Sequence, residues 1–151
     1  MSVHYSGGCA CGAVRYDVSG ELLFANMCQC RQCQRLTGTG HAVYLTVTSA
    51  SAEIRGETSH WTSLGENGTI KQNIFCPACG SPLLLALPQM PDIFAVQVGS
   101  LDDPTTYQPE MVFWTDTGHA WDELPQGIQK FQKLPPSQQS EPTPESASSR
   151  A

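Results

Sequence analysis

Seven cysteines fall into three short clusters: Cys9-Ala-Cys11, Cys28-Gln-Cys30-Arg-Gln-Cys33 and Cys76-Pro-Ala-Cys79. No cysteine lies outside a cluster. This spacing suits metal ligation, because one short loop must aim two or three sulfurs at a single ion. Seven divides into four and three. Four thiolates close a tetrahedral zinc site. Three leave a coordination position open, as a catalytic metal requires.

Other cysteine chemistries fit less well. An odd count leaves one thiol over in a disulfide framework, and a Cys-x-Cys pair is too close to bridge itself comfortably. The start, Met-Ser-Val-His-Tyr-Ser-Gly-Gly, has no basic residues followed by an apolar run, so no signal peptide is visible. The expectation is a cytoplasmic protein in a reducing compartment, where disulfides rarely persist. A redox pair at Cys76 and Cys79 lacks the βαβ context such pairs sit in. Cys-x-Cys-x2-Cys is not a typical iron–sulfur spacing. Thiolate-only sites favour soft or borderline metals, and zinc is the expected cofactor, with two ions per chain.

Each cluster has its own logic. Gly7-Gly8-Cys9-Ala10-Cys11-Gly12 is a glycine-wrapped turn, and Phe75-Cys76-Pro77-Ala78-Cys79-Gly80 reads as a zinc knuckle between strands. Each loop offers two ligands, so neither closes a site alone. Together Cys9, Cys11, Cys76 and Cys79 make a site without a vacancy, which reads as structural. Cys28, Cys30 and Cys33 hold an ion by themselves, and the fourth position stays open between water, substrate and a residue such as His41.

The elements that position these loops read as short strands separated by Gly and Pro. Strands are expected over 13–18, 41–48, 69–75, 81–87, 92–98 and 110–115. Only 31–36 and 122–130 look able to form a helical turn or two. Closely spaced strands without long 3.6-residue periodicity predict a mainly β fold with little helix. Trp114 and Trp121 are expected in the core.

The chain has 151 residues, one domain by length, and needs no staple merely to fold. A net charge of −6 with eight Lys plus Arg argues against nucleic acid as a partner. No apolar run approaches a membrane span. The exposed edges of a β fold are compatible with a homodimer. From Leu134 to Ala151 the chain turns rich in Pro and Ser, so a domain over 1–133 and a disordered tail over 134–151 are expected.

The three clusters, in this order and with these spacings, resemble the glutathione-dependent formaldehyde-activating enzyme family, whose domain is shared with centromere protein V. The similarity covers roughly Tyr5 to Leu124 and includes Gly8-Cys9-Ala10-Cys11-Gly12, the three-cysteine loop followed by Gly38, and Phe75-Cys76-Pro77-Ala78-Cys79-Gly80. It extends to Pro109, Trp114, Trp121 and Leu124-Pro125. The resemblance implies a zinc-binding β-tent fold of short antiparallel strands. It assigns Cys9, Cys11, Cys76 and Cys79 to a structural zinc and Cys28, Cys30 and Cys33 to a catalytic one. It further implies a carbon–sulfur lyase that adds glutathione, or a similar thiol, to formaldehyde or a related small aldehyde. The carboxylates of glutathione ask for Arg or Lys, and Arg31 and Arg35 beside the three-cysteine loop are the candidates. Two alternatives remain: a zinc enzyme of the same fold acting on another small thiol or electrophile, and a non-catalytic zinc-stabilised interaction domain.

Overall fold

The computed structural model describes residues 2–138. The chain is mainly β, with ten elements in the order β1 (Ser2–Gly8), β2 (Arg15–Cys28), α1 (Arg31–Thr37), β3 (Ala42–Arg55), β4 (Ser59–Leu64), β5 (Ile70–Phe75), β6 (Pro82–Ala86), β7 (Phe94–Gln97), β8 (Met111–Phe113) and β9 (Gln129–Lys130). Three single 3-10 turns join them, at Val98–Ser100, Thr115–Thr117 and Pro136–Gln138. The strands form one sheet in the order β4-β5-β6-β7-β3-β2-β8-β9, with β1 added to β2. No helix among the described residues is long and apolar enough to cross a membrane.

Strands β2 and β3 are the spine. Each runs 14 residues, much longer than the short strands expected from the sequence. The first half of β2 pairs with β1, and its last three residues pair in parallel with β8. Two register shifts interrupt its pairing with β3, between Ser19 and Glu21 and between Leu22 and Phe24. Side chains alternate across a strand, so a bulge changes which residues face which side. Before the shifts Val14, Tyr16 and Val18 face the main core; after them Ala25 does. Cys28 is thereby sent to the other side, into a second cluster with Cys33, Tyr44 and Phe113. The bulges are how one strand builds the core at one end and presents a reactive sulfur at the other.

The main core joins Tyr16, Val47, Leu83 and Val96, each essentially fully buried. Tyr16 is the largest, and its Oη lies 2.6 Å from Ser100 Oγ, which satisfies the buried hydroxyl.

Two local expectations change. Residues 122–130 form no helix; Pro125 and Gly127 (φ 77) interrupt the backbone, and only Gln129–Lys130 is regular, as a strand. Packing also continues past residue 133. Leu134 packs on the second cluster, Pro135 is buried, and Asn67 Nδ2 donates to the Gln138 carbonyl at 3.0 Å. The rest of the segment read as a tail, 139–151, lies outside the described residues.

Candidate metal centres and an adjoining cavity

The structure brings the seven cysteines into two groups, Cys9 with Cys11, Cys76 and Cys79, and Cys28 with Cys30 and Cys33. Within each group all sulfurs lie within 4.8 Å of one another, and all seven are free thiols.

The first group is made where the β1–β2 turn meets the β5–β6 turn. Gly12 (φ 81) and Gly80 (φ 78) close the two turns in the left-handed region, which a side chain disfavours. In each turn a glycine N–H bonds back to a cysteine carbonyl, Gly12 to Cys9 at 3.2 Å and Gly80 to Cys76 at 2.8 Å. The Val14 N–H donates to Cys9 Sγ at 3.2 Å. Ser81 ties the loops together: its Oγ accepts from the Ala10 N–H at 3.0 Å and lies 3.1 Å from Cys79 Sγ. These donors favour thiolate. The Val14 N–H holds Cys9 below the usual thiol range, and the Ser81 hydroxyl and backbone bring Cys79 down to about 5, whereas Cys11 is pulled down by the Ala13 backbone but pushed up to about 11 by Cys9, by burial and by the other two sulfurs. The spacing fits an ion. Four thiolates at ~2.3 Å from zinc are about 3.8 Å apart. Cys9 and Cys11 sulfurs are 3.6 Å apart, and Cys11 and Cys76 sulfurs 3.8 Å.

The second group sits where β2 ends and α1 begins. Cys28 is the last residue of β2. Cys30 caps α1, its sulfur accepting from the Cys33 N–H at 3.3 Å, and Cys33 lies in the first turn of the helix. Cys28 and Cys33 are buried. Three thiols this close share protons. Hydrogen bonds from Cys28 and Cys33 hold Cys30 down to about 2. The hydrogen bond to Cys30 pushes Cys28 well up, followed by that to Cys33 and by burial. Cys33 is pulled down by its bond to Cys28, but Cys30 and burial outweigh that and push it up to about 12. The cluster therefore carries one negative charge readily and resists a second and third. A bound cation removes that resistance, so the donor set fits a metal.

No other His, Asp or Glu among the described residues joins this group. His41 is engaged elsewhere: its Nδ1 lies 2.8 Å from both Asp122 carboxylate oxygens. Asp122 also accepts from Gln29 Nε2 at 2.9 Å, which anchors the loop between Cys28 and Cys30. Gln34 buttresses the same loop, donating to the Gln29 and Thr117 carbonyls at 2.8 and 2.9 Å. His119 completes that contact, its Nε2 2.9 Å from Gln34 Oε1. The segment 114–122 thus acts as a polar backing for the three-cysteine loop.

The three cysteines open on a cavity of about 750 Å³. Its floor is one face of the sheet, from Trp61 on β4 through Lys71, Leu85 and Ala95 to Asn26 and Cys28 on β2. Helix α1 and residues around Trp114 and Gln138 wall it. Trp114 adopts φ 62, ψ 40, a conformation a bulky residue rarely accepts. Such strain persists where the surroundings fix it, often at binding sites. Trp121 is 67% exposed and stacked on His119, so it is not a core residue, whereas Trp114 is half-buried, packing on the second cluster while it lines the cavity. Arg31 lines the cavity, but Arg35 does not; it is exposed on the outer side of α1. Lys71, 38 residues beyond Cys33 in sequence, lines it instead, and its charge helps to keep Cys30 ionised.

A family model described as "Glutathione-dependent formaldehyde-activating enzyme" matches residues 4–117. The chain belongs to that family. All three cysteine clusters lie inside the match, as do Lys71, Arg31 and Trp114. Trp121 and Leu124-Pro125 lie beyond it. A crystal structure of a Rhodobacter sphaeroides protein is also similar, with a TM-score of 0.48 and 26% identity over 64% of this chain and 87% of that chain. As in the family at large, a small thiol or aldehyde is the suggested substrate, and the cysteine clusters are able to hold metal ions.

Proposed function

We propose that the chain is a zinc-dependent carbon–sulfur lyase that adds a thiol to a small aldehyde at Cys28, Cys30 and Cys33. The observation that carries this reading is the three-sulfur group itself. It has no fourth His, Cys, Asp or Glu donor among the described residues, and it opens on a cavity. Cys9, Cys11, Cys76 and Cys79 would hold a second, structural zinc, with no position left for a substrate.

The reaction forms one S–C bond and breaks the π bond of the carbonyl. The thiol proton ends on the carbonyl oxygen, giving a hemithioacetal. Zinc, when bound, would supply a positive centre that favours thiolate over thiol and polarises oxygen. The remaining tasks fall to this chain's residues. Cys28, Cys30 and Cys33 fix the ion at one end of the cavity. Lys71 adds positive charge on the cavity side of Cys30. The cavity walls hold thiol and aldehyde together, converting a two-body encounter into one within a single site. Thiols add to aldehydes without help, so only a few kcal/mol of barrier lowering is needed. Arg31 stands at the cavity as an anion contact, and the role expected of Arg35 passes to Lys71.

Zinc content and addition rates test this. Wild type should bind two zinc ions per chain and accelerate hemithioacetal formation, and Cys33→Ser should lose one ion and the acceleration together. Acceleration that survives Cys33→Ser would place the chemistry elsewhere.

A further inference from the structure

The tip of the β4–β5 hairpin overhangs the sheet. Strand β6 pairs with β5 from Gln72 to Phe75, so Ile70, Lys71 and the turn before them extend past that ladder. A two-stranded ribbon by itself is marginal in water, so the place of such a tip depends on what ties it down. Side-chain amides tie it to three other segments. Gln32 Nε2 on α1 donates to the Leu64 carbonyl at 3.2 Å. Gln89, between β6 and β7, accepts from the Ile70 N–H at 2.9 Å and donates to the Gly68 carbonyl at 3.3 Å. Asn67 Nδ2 donates to the Gln138 carbonyl at 3.0 Å. Beside that last bond Glu66 lies 3.8 Å from Lys133, a half-exposed ion pair that adds little by itself.

The tip carries a charge into the cavity. Lys71 stands opposite Ser63 across the hairpin, and its stem runs along the turn, with Cε 3.7 Å from where a Cβ on Gly65 would lie. From there Lys71 lines the cavity, and its charge acts on Cys30. Gln32, Met90 and Gln138, one from each tying segment, line the same cavity. A lysine ends in a point charge on a flexible stem, so a fixed backbone is what makes its contact selective. The segment that receives Asn67 lies beyond residue 117, where the match to the family model ends. The hold on the tip is therefore built in part from residues outside that match.

We propose that Asn67 and Gln89 are positioning residues, latching the hairpin tip so that Lys71 meets an anionic group on the thiol held at the three cysteines. This rests on the proposed thiol chemistry for what the cysteines hold. Lys71 touches the substrate, and the two amides act through it.

The test uses two thiols on the zinc-loaded full chain, with affinity measured by calorimetry. 3-Mercapto-1-propanesulfonate carries a negative charge that is a poor metal ligand, and 3-mercapto-1-propanol carries none. Wild type should favour the sulfonate by about 10-fold, the size of a charged hydrogen bond. Lys71→Met should remove most of that preference, with Arg31 sustaining the remainder. The double variant Asn67→Ser, Gln89→Met changes no charge. It should cut the preference about 3- to 5-fold with Lys71 intact, and leave the affinity for the alcohol within about 2-fold. Added to Lys71→Met, it should have no further effect on the preference, because the amides act only through the lysine.

Equal affinity of wild type for the two thiols would overturn the anion contact and the latch together. A preference unmoved by the double variant, or lowered by it just as much in the Lys71→Met background, would overturn the positioning role. So would affinities for both thiols that fall alike, which is what loosened packing alone produces. Failure of either thiol to bind would overturn the thiol reading itself, and this proposal with it. If the preferences behave as expected and no thiol–aldehyde addition is accelerated, the latch stands and it is the proposed chemistry that fails.

Discussion

The two cysteine groups use the same ligand atom and are built in opposite ways. The four-cysteine group lies between two surface turns, with Cys11 and Cys79 exposed. Its neighbours are backbone N–H groups and a serine, all serving the sulfurs. The three-cysteine group is formed by a strand end and a helix cap, is largely buried, and has a cavity on one side. Its neighbours include a lysine, a buried amide and aromatic walls. The contrast teaches that ligand type does not decide the role of a thiolate site. In the proposed reading, a closed set of donors pinning two distant turns acts as a staple, and an incomplete set beside a cavity is equipped for chemistry.

The largest effect should come from breaking the staple. Cys76 is fully buried and its site joins turns some 65 residues apart, Cys11 to Cys76. Structural zinc contributes on the order of 10 kcal/mol of binding free energy to folding. Cys76→Ser should therefore unfold or strongly destabilise the domain, seen as lost near-ultraviolet dichroism and a collapsed thermal transition. Cys33→Ser should instead keep the fold and lower zinc content from about two to about one. If Cys76→Ser folds normally while Cys33→Ser does not, the roles are reversed.

Acidification should separate the groups without mutation. Protons compete with a metal for sulfur, so thiols with raised pKa surrender the ion at higher pH. In the three-cysteine group Cys30 is lowered but Cys28 and Cys33 are both raised, Cys33 to about 12; in the other group Cys11 is raised to about 11, but Cys9 is lowered and Cys79 sits at about 5. Stepping the pH down from 8 with a chromophoric chelator present should release the three-cysteine ion first. Release in the other order would remove the electrostatic side of the comparison.

Two glycine substitutions sharpen it further. A Cβ on Gly118 would meet Gln29 Oε1 at 2.3 Å, inside the backing of the three-cysteine loop. Gly118→Ala should cost about 1–3 kcal/mol and weaken metal binding at that group alone. Gly12 has nothing within 4 Å of an added Cβ but holds φ +81. Gly12→Ala should cost only about 1 kcal/mol, through backbone strain, and leave the three-cysteine group untouched. Thermal melts and zinc titrations of the two variants distinguish these outcomes.

The cysteines were legible in the sequence because ligand spacing is local: each cluster spans six residues or fewer and needs only its own loop. Their grouping was legible because two ligands per turn demand a partner turn. The mainly β character followed from short apolar stretches between Gly and Pro. What stayed hidden depends on strand pairing over long separations. Lys71, Trp61 and Asn26 carry no motif, and they meet only because β4, β5 and β2 contribute to one sheet face. The length of β2 was obscured by its bulges, which break the alternation that identifies a strand. Strand β4, Ser-His-Trp-Thr-Ser-Leu, lacks an apolar alternation because much of it is exposed. Arg35 looked equivalent to Arg31 by proximity alone. Arg35 shares a helix face with Arg31 but stands one turn, about 6 Å, further along α1, beyond the residues that line the cavity.

The division between a closed and an open site is tested most directly by cobalt substitution. Cobalt(II) in place of zinc gives a thiolate charge-transfer spectrum that reports on coordination. Added benzyl mercaptan should change the spectrum of wild type, saturating at one thiol per chain, and should leave that of Cys33→Ser unchanged. A wild-type spectrum indifferent to thiol, or a thiol response that persists in Cys33→Ser, would contradict the assignment of the open position to Cys28, Cys30 and Cys33.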